Sequence, residues 1–240
     1  MPLALRPLTS RRAAAHRTRE ARTAAVALVT MAALYPLARR PILTWGATAE
    51  EACSALPGDE LLDDADGVST RAITIDTPSA TVWPWLVQMG PAPRGGAYTY
   101  DWIENLLGLD MHSVDIVLPK FQSPAIGDTI GFGPNRMRLE LLDPERALVW
   151  RSEDGNWVWS FVLREQDGST RLISRNRFRL PTLAMRIGML PMEPGSLGLE
   201  AKMLRGIKNR AERLAAQART QSRPEGDDAW ARGEFRRSTS

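Results

Sequence analysis

The chain has 240 residues, a net charge of +3, a single cysteine and two histidines. One cysteine excludes an intrachain disulfide, and together with two histidines it is too few for a Cys/His zinc site. A chain of this length can form one domain whose core needs neither a disulfide nor a metal. We therefore expect no metal and no cofactor.

The positive charge is concentrated at the N-terminus. Residues 1–40 contain eight arginines and one glutamate, a net charge of +7, so the remaining 200 residues carry −4. A nucleic-acid-binding domain would place basic residues on a folded face with aromatic residues among them. Residues 41–240 lack that pattern, and we expect no nucleic-acid partner.

An uncharged stretch follows the arginines of this N-terminal arm. Residues 23–38, "TAAVALVTMAALYPLA", would form a helix of about 24 Å, against a hydrocarbon core of roughly 30 Å. Flanking arginines can reach the lipid headgroups and make up the difference. This predicts a membrane anchor within residues 1–40 and membrane contact through residues 23–38. The alternative is an Ala-rich helix on the domain of a cytoplasmic protein.

The first predicted elements are a helix, a strand and two more helices. Thr48 and Glu51 have the spacing of a capping box and open a helix within residues 45–62. A strand is predicted at residues 70–75, because alternate residues separate into one side with Thr70, Ala72 and Thr74 and another with Arg71, Ile73 and Ile75. Helices are then predicted at residues 79–90, with Ser79 as a cap and a first turn near Thr81, and at residues 98–109. The second of these has Trp102, Ile103, Leu106 and Leu107 on one face.

Strands and one long helix make up the rest. Turn signals at residues 143–144, 154–155 and 167–168 separate the predicted strands. These strands have one apolar face and one largely solvent-exposed polar face, as in an antiparallel sheet. Residues 197–218 predict an amphipathic helix. Its apolar stripe consists of Met203, Leu204, Ile207, Ala211, Leu214 and Ala215. Residues 219–240 are polar and predict a disordered tail.

Three strings resemble one protein family. They are "TRAITIDTPSATVWPWLVQMG" (70–90), "GGAYTYDWIENLLGLDMHS" (95–113) and "KMLRGIKNRAE" (202–212). They resemble a bacterial subgroup of the START-related, polyketide cyclase-like superfamily (SRPBCC), over about residues 45–217. The resemblance implies an α+β helix-grip domain at residues 41–218, with a curved antiparallel sheet wrapped around the long C-terminal helix and a cavity between them.

The resemblance also implies which residues would surround a ligand. Trp157, Trp159 and Phe161 on the sheet would line the cavity or the core, as would Met203, Leu204 and Ile207 on the long helix. Tyr98 and Tyr100 would offer polar groups at the mouth, and Trp102 would pack in the core beneath it. The leading hypothesis is binding or carriage of a hydrophobic or amphipathic small molecule.

Two other functions are open on the sequence. His112 with Asp101, Glu104 or Asp115 could act in a cyclase-type or hydrolase-type enzyme, since a histidine near a carboxylate can transfer protons. Structural roles compete with that hypothesis: Asp101 suits the first turn of a helix, Glu104 could pair with Arg94, and His112 could bond the loop. The third hypothesis is an interaction domain with a filled core and no ligand.

Overall fold

The computed structural model describes residues 19, 22, 23, 26, 29, 30, 33–131 and 136–221. The chain divides into two compact units, residues 1–42 and 43–240. Among the described residues, none of the helices combines the length and the apolar character that crossing a bilayer requires. Part of the predicted anchor at 23–38, and residues 222–240 of the predicted tail, lie outside the described residues.

The second unit is built on a six-stranded antiparallel sheet. The strands are β1 (Gly67–Ile75), β2 (Thr129–Ile130), β3 (Met137–Asp143), β4 (Ala147–Ser152), β5 (Trp157–Gln166) and β6 (Ser169–Phe178). Their order across the sheet is β1-β6-β5-β4-β3-β2, so that the first strand lies beside the last. Numbered in chain order after the helical residues 33–43 (α1), the remaining helices are α2 (Ala49–Cys53), α3 (Ser79–Val87), α4 (Asp101–Leu106) and α5 (Leu183–Gln221).

The concave face of this curved sheet packs on α5 and α3. The predicted stripe of α5 is confirmed at four positions, because Met203, Leu204, Ile207 and Ala211 are buried in the main core. The helix is longer than predicted, since it begins at Leu183 instead of residue 197. It continues through Pro191 and Pro194, although proline normally ends a helix. This part of α5 is largely exposed, so water can bond the carbonyls that lose a partner.

The convex face of the sheet is covered by residues 47–65. The predicted capping box is confirmed, with the Thr48 hydroxyl accepting from Glu51 N and the Glu51 carboxylate accepting from Thr48 N. Arg175, on the face predicted to be wet, is buried. Its guanidinium donates to the carbonyls of Glu51, Ala52 and Ser54 and to the Asp59 carboxylate. The prediction of a solvent-exposed face was wrong at Arg175, because a second layer of chain covers this side chain.

The two short helices differ from their predicted form. Ser79, which was predicted to cap α3 before a first turn near Thr81, is instead its first residue, and its hydroxyl donates to Glu165. α4 contains six residues, and its supposed core residue Trp102 is 70% exposed. Leu106 and Leu107 are also exposed. The apolar face of α4 therefore points outward, and the prediction that Trp102 packs in the core was wrong.

Candidate binding cavity

A cavity of about 290 Å³ lies between the concave face of the sheet and the loops around α4. Its walls are almost entirely apolar, and we call it the apolar chamber. They consist of Met89, Gly90, Pro91, Ala97, Leu107, Leu109, Met111, Ile130, Gly131, Met137, Trp157 and Trp159. Leu107 is exposed and marks the rim of the chamber.

A second cavity of about 230 Å³ adjoins it, and we call it the polar chamber. Side chains from β1, β5, β6, α4 and α5 line it. They are Ser69, Arg71, Ala97, Thr99, Glu104, Trp157, Trp159, Asn176, Phe178, Ser196, Leu199, Glu200 and Met203. The two chambers share Ala97, Trp157 and Trp159, so the apolar chamber and the polar chamber lie next to each other at these three residues.

The two shared tryptophans are held in fixed orientations. Their rings are stacked with centroids 5.7 Å apart and planes 19° apart. The Trp157 indole N–H donates to Asn176 Oδ1 at 2.9 Å, and the Trp159 indole N–H donates to Ser174 Oγ at 3.0 Å. Because both indole donors are satisfied by the sheet, the rings present apolar surface to the chambers.

An ion pair closes the polar chamber between β1 and α5. Arg71 and Glu200 are in direct contact, and their side chains are 1% and 8% exposed. Glu200 Oε1 also accepts from Ser174 Oγ at 2.5 Å and from Asn176 Nδ2 at 3.2 Å. Burial raises the pKa of Glu200, and the Arg71 charge and these hydrogen bonds oppose the rise. The ion pair is thus linked, through Ser174 and Asn176, to both indole rings.

Glu104 faces the same chamber from α4 without an ionic partner. Its side chain is 7% exposed, and neither its Oε2 nor the nearby Thr99 Oγ1 has a hydrogen-bond partner among the described residues. Burial raises the pKa of the Glu104 carboxyl, the proximity of the Thr99 hydroxyl opposes the rise, and the Asp101 charge adds to it. The suggested pairing with Arg94 does not form, because the Arg94 guanidinium donates to the carbonyls of Met89 and Val87.

The structure separates the residues predicted to surround a ligand. Trp157 and Trp159 line both chambers and Met203 lines the polar one, whereas Ile207 is buried in the core. Tyr98 is buried as well: its hydroxyl donates to Trp85 O and accepts from Gln88 Nε2, both at 3.0 Å. Burial raises the pKa of Tyr98. The Tyr98 hydroxyl, which was expected at the cavity mouth, is therefore hydrogen-bonded within the core.

Tyr100 and the proposed catalytic residues lie at the surface or in loop contacts. Tyr100 is 44% exposed, with the Lys202 ammonium 5.6 Å from its ring centroid. His112 Nε2 lies 3.0 Å from Asp110 Oδ1, and both side chains are exposed. Neither Tyr100 nor His112 lines a chamber.

The carboxylates of Asp101 and Asp115 have structural partners. The Asp101 carboxylate accepts from the backbone N–H and the hydroxyl of Ser113. Asp115 pairs with Arg210 and Arg213 at 2.9 and 3.0 Å. The predicted constellation is not assembled, since Glu104 alone of the four candidates faces the cavity. Within the described part of the chain, no group of three or more His, Cys, Asp or Glu residues could hold a metal.

Sequence reasoning missed Arg71, Glu200 and Thr99. A signal for the first two was present. Arg71 shares a side of its strand with Ile73 and Ile75, and Glu200 extends the apolar stripe of α5 by one turn. Two opposite charges, each at an inward position of its own element, favour a buried ion pair. Thr99 gave no such signal.

Comparisons with known proteins add the following. No protein-family model matches the chain, and no curated protein matches it. Among solved structures it is similar to the polyketide cyclase-like protein Cgl2372 of Corynebacterium glutamicum (14% identity, 66% of this chain and 97% of that one, TM-score 0.39). It is also similar to protein NE0264 of Nitrosomonas europaea (13%, 64% and 99%, TM-score 0.43). A third is Aha1 of Colwellia psychrerythraea (15%, 61% and 96%, TM-score 0.37).

The order and packing of this chain's own elements identify its fold. A strand, two short helices, a run of antiparallel strands and a long C-terminal helix follow in the order that the sequence predicted. The curved sheet packs its concave face on that long helix, and the first strand pairs with the last. The chain therefore has an α+β helix-grip fold.

Proposed function

We propose that the protein binds or carries a hydrophobic or amphipathic small molecule in the joined chambers. The observation that supports this most is the size and lining of the cavity. Small-molecule sites occupy about 300 to 1,000 Å³ and are mostly apolar with a few placed polar groups. The apolar chamber alone is near that lower limit, and the two chambers together exceed it.

The contacts within the site support a role in binding rather than in acid–base catalysis by His112. Trp157 and Trp159 offer flat apolar surface at the junction of the chambers, and Met89, Met111 and Met137 line the apolar end. Methionine side chains are flexible and adapt to irregular apolar ligands. His112 and its exposed partner Asp110 line neither chamber.

A cavity-filling variant tests this proposal. Ala97 is buried and lines both chambers, so Ala97→Leu would occupy their junction. The uncharged fluorescent probe N-phenyl-1-naphthylamine should bind the wild-type protein and lose at least about tenfold in affinity in Ala97→Leu, since the added side chain takes the space of the ligand. The thermal midpoint should change little. Ala216→Leu makes the same change at an exposed position of α5 and should bind the probe like the wild type. A wild-type protein that fails to bind the probe would contradict the proposal.

A further inference from the structure

The polar chamber is lined by one carboxylate that has no ion-pair partner among the described residues. Glu104 comes from α4, and its Oε2 is buried without a hydrogen-bond partner among the described residues. Thr99 Oγ1, in the segment that leads into α4, lies close enough to Glu104 to lower its pKa but makes no hydrogen bond of good geometry among the described residues. Buried carboxylates are nearly always paired or hydrogen-bonded by several donors, so a carboxylate whose one nearby donor is poorly placed has capacity for a further donor from a ligand.

The charges of the chamber restrict what that ligand can carry. The charged side chains among its described lining residues are Arg71, Glu104 and Glu200. Arg71 and Glu200 are in direct contact and cancel when both are charged, and an ionised Glu104 is then the remaining charged group of the described lining. A ligand carboxylate or phosphate placed there would meet a like charge in a site of low dielectric, whereas a donor or a cation would be stabilised.

We infer that Glu104, with Thr99, binds a hydrogen-bond donor at the polar end of the ligand, either a hydroxyl or a protonated amine. This rests on the proposed function and specifies the ligand's chemical class. The apolar body of the ligand lies along Trp157 and Trp159 and extends into the apolar chamber. Fatty acids and other apolar anions are disfavoured by the same carboxylate.

Three probes with the same ten-carbon chain test the inference: decylamine, decanol and decanoate. Each would displace N-phenyl-1-naphthylamine from the wild-type protein at pH 7.5. Decylamine should bind at least about tenfold more tightly than decanoate, which is the scale of one charge-assisted hydrogen bond. Decanol should lie between them. If hydroxyls are the natural head group, decanol should instead equal or exceed decylamine, and both should exceed decanoate.

The variant Glu104→Gln keeps the size of the side chain and removes its charge. It should remove most of the preference for decylamine over decanoate. Asp110→Asn removes an exposed carboxylate outside the chambers and should leave the preference unchanged. The inference would be overturned if decanoate bound as tightly as decylamine, or if Glu104→Gln kept the wild-type ranking. Failure of the wild-type protein to bind N-phenyl-1-naphthylamine would instead contradict the proposed function, so the two failures are distinguishable.

Discussion

Arg71 on β1 and Glu200 on α5 are 129 residues apart in sequence and form a buried ion pair. Ser174 and Asn176 bond the same carboxylate and also accept from the indoles of Trp159 and Trp157. One interaction thus joins the long helix to the sheet and fixes two aromatic side chains of the cavity.

Removing either member of this pair should be more harmful than removing both. Arg71→Met leaves the Glu200 carboxylate buried without its cation, which typically costs about 3–5 kcal/mol. The double variant Arg71→Met, Glu200→Gln leaves only neutral groups and should be more stable than Arg71→Met alone. Urea denaturation of the two single variants and the double variant measures this. A double variant less stable than both single variants would contradict it.

Gly206 should not tolerate alanine, although alanine normally favours a helix. A Cβ at Gly206 would lie 2.6 Å from Tyr98 O and 2.8 Å from Tyr98 Cβ, so α5 would have to move away from that segment. We expect Gly206→Ala to destabilise the protein by about 1–3 kcal/mol. Gly198, in the same helix, has open space at this position. Gly198→Ala should therefore stabilise by up to about 1 kcal/mol. Thermal and urea unfolding of both variants would show opposite signs; equal signs would contradict the close approach.

The sequence predicted the elements whose burial follows a simple period. The strand at residues 70–75 and the α5 stripe at Met203, Leu204 and Ile207 were correct, because each follows from a period of two or 3.6 residues. The environment of Arg175 could not be predicted, since the segment that covers it comes from a position more than a hundred residues earlier. α4 was misread because its apolar side chains Trp102 and Leu106 are exposed rather than buried.

Tyr98 and Tyr100 should differ in stability rather than in ligand binding. Tyr98→Phe removes the buried hydrogen bonds to Trp85 O and from Gln88, and we expect a loss of about 1–3 kcal/mol. Tyr100→Phe at an exposed position should change stability by less than about 0.5 kcal/mol. Differential scanning calorimetry and probe titration of both variants measure this. Weaker probe binding by Tyr98→Phe at unchanged stability would place Tyr98 in the ligand site instead.

Glu104 should make the stability of the folded protein fall as the pH rises. Burial raises the pKa of this carboxyl in the folded state above its unfolded value of about 4.3. The unfolded state therefore ionises first, and stability is lost as the pH increases from about 4.3 through the folded pKa. Glu104→Gln removes this loss, so it should be more stable than the wild type at pH 7 and differ less near pH 4.

Chemical denaturation of the two proteins between pH 4 and 8 tests the sign. Asp110→Asn provides the matched control, because its exposed carboxylate should alter stability by less than about 0.5 kcal/mol. A Glu104→Gln variant that is less stable than the wild type at pH 7 and gains on it as the pH falls would show that Glu104 is stabilised as a carboxylate by the folded protein.

The pairing of the first strand with the last has a consequence for folding kinetics. β1 forms its ladder with β6, and Arg175 Nε bonds Thr70 Oγ1 across 105 residues. During synthesis, β1 is complete long before its partner exists, and its backbone groups must stay hydrated until then. Contacts so distant in sequence slow folding, because a long loop has to close before they form. A nascent chain that ends before residue 169 would leave β1 without its partner strand and open to pairing with other chains.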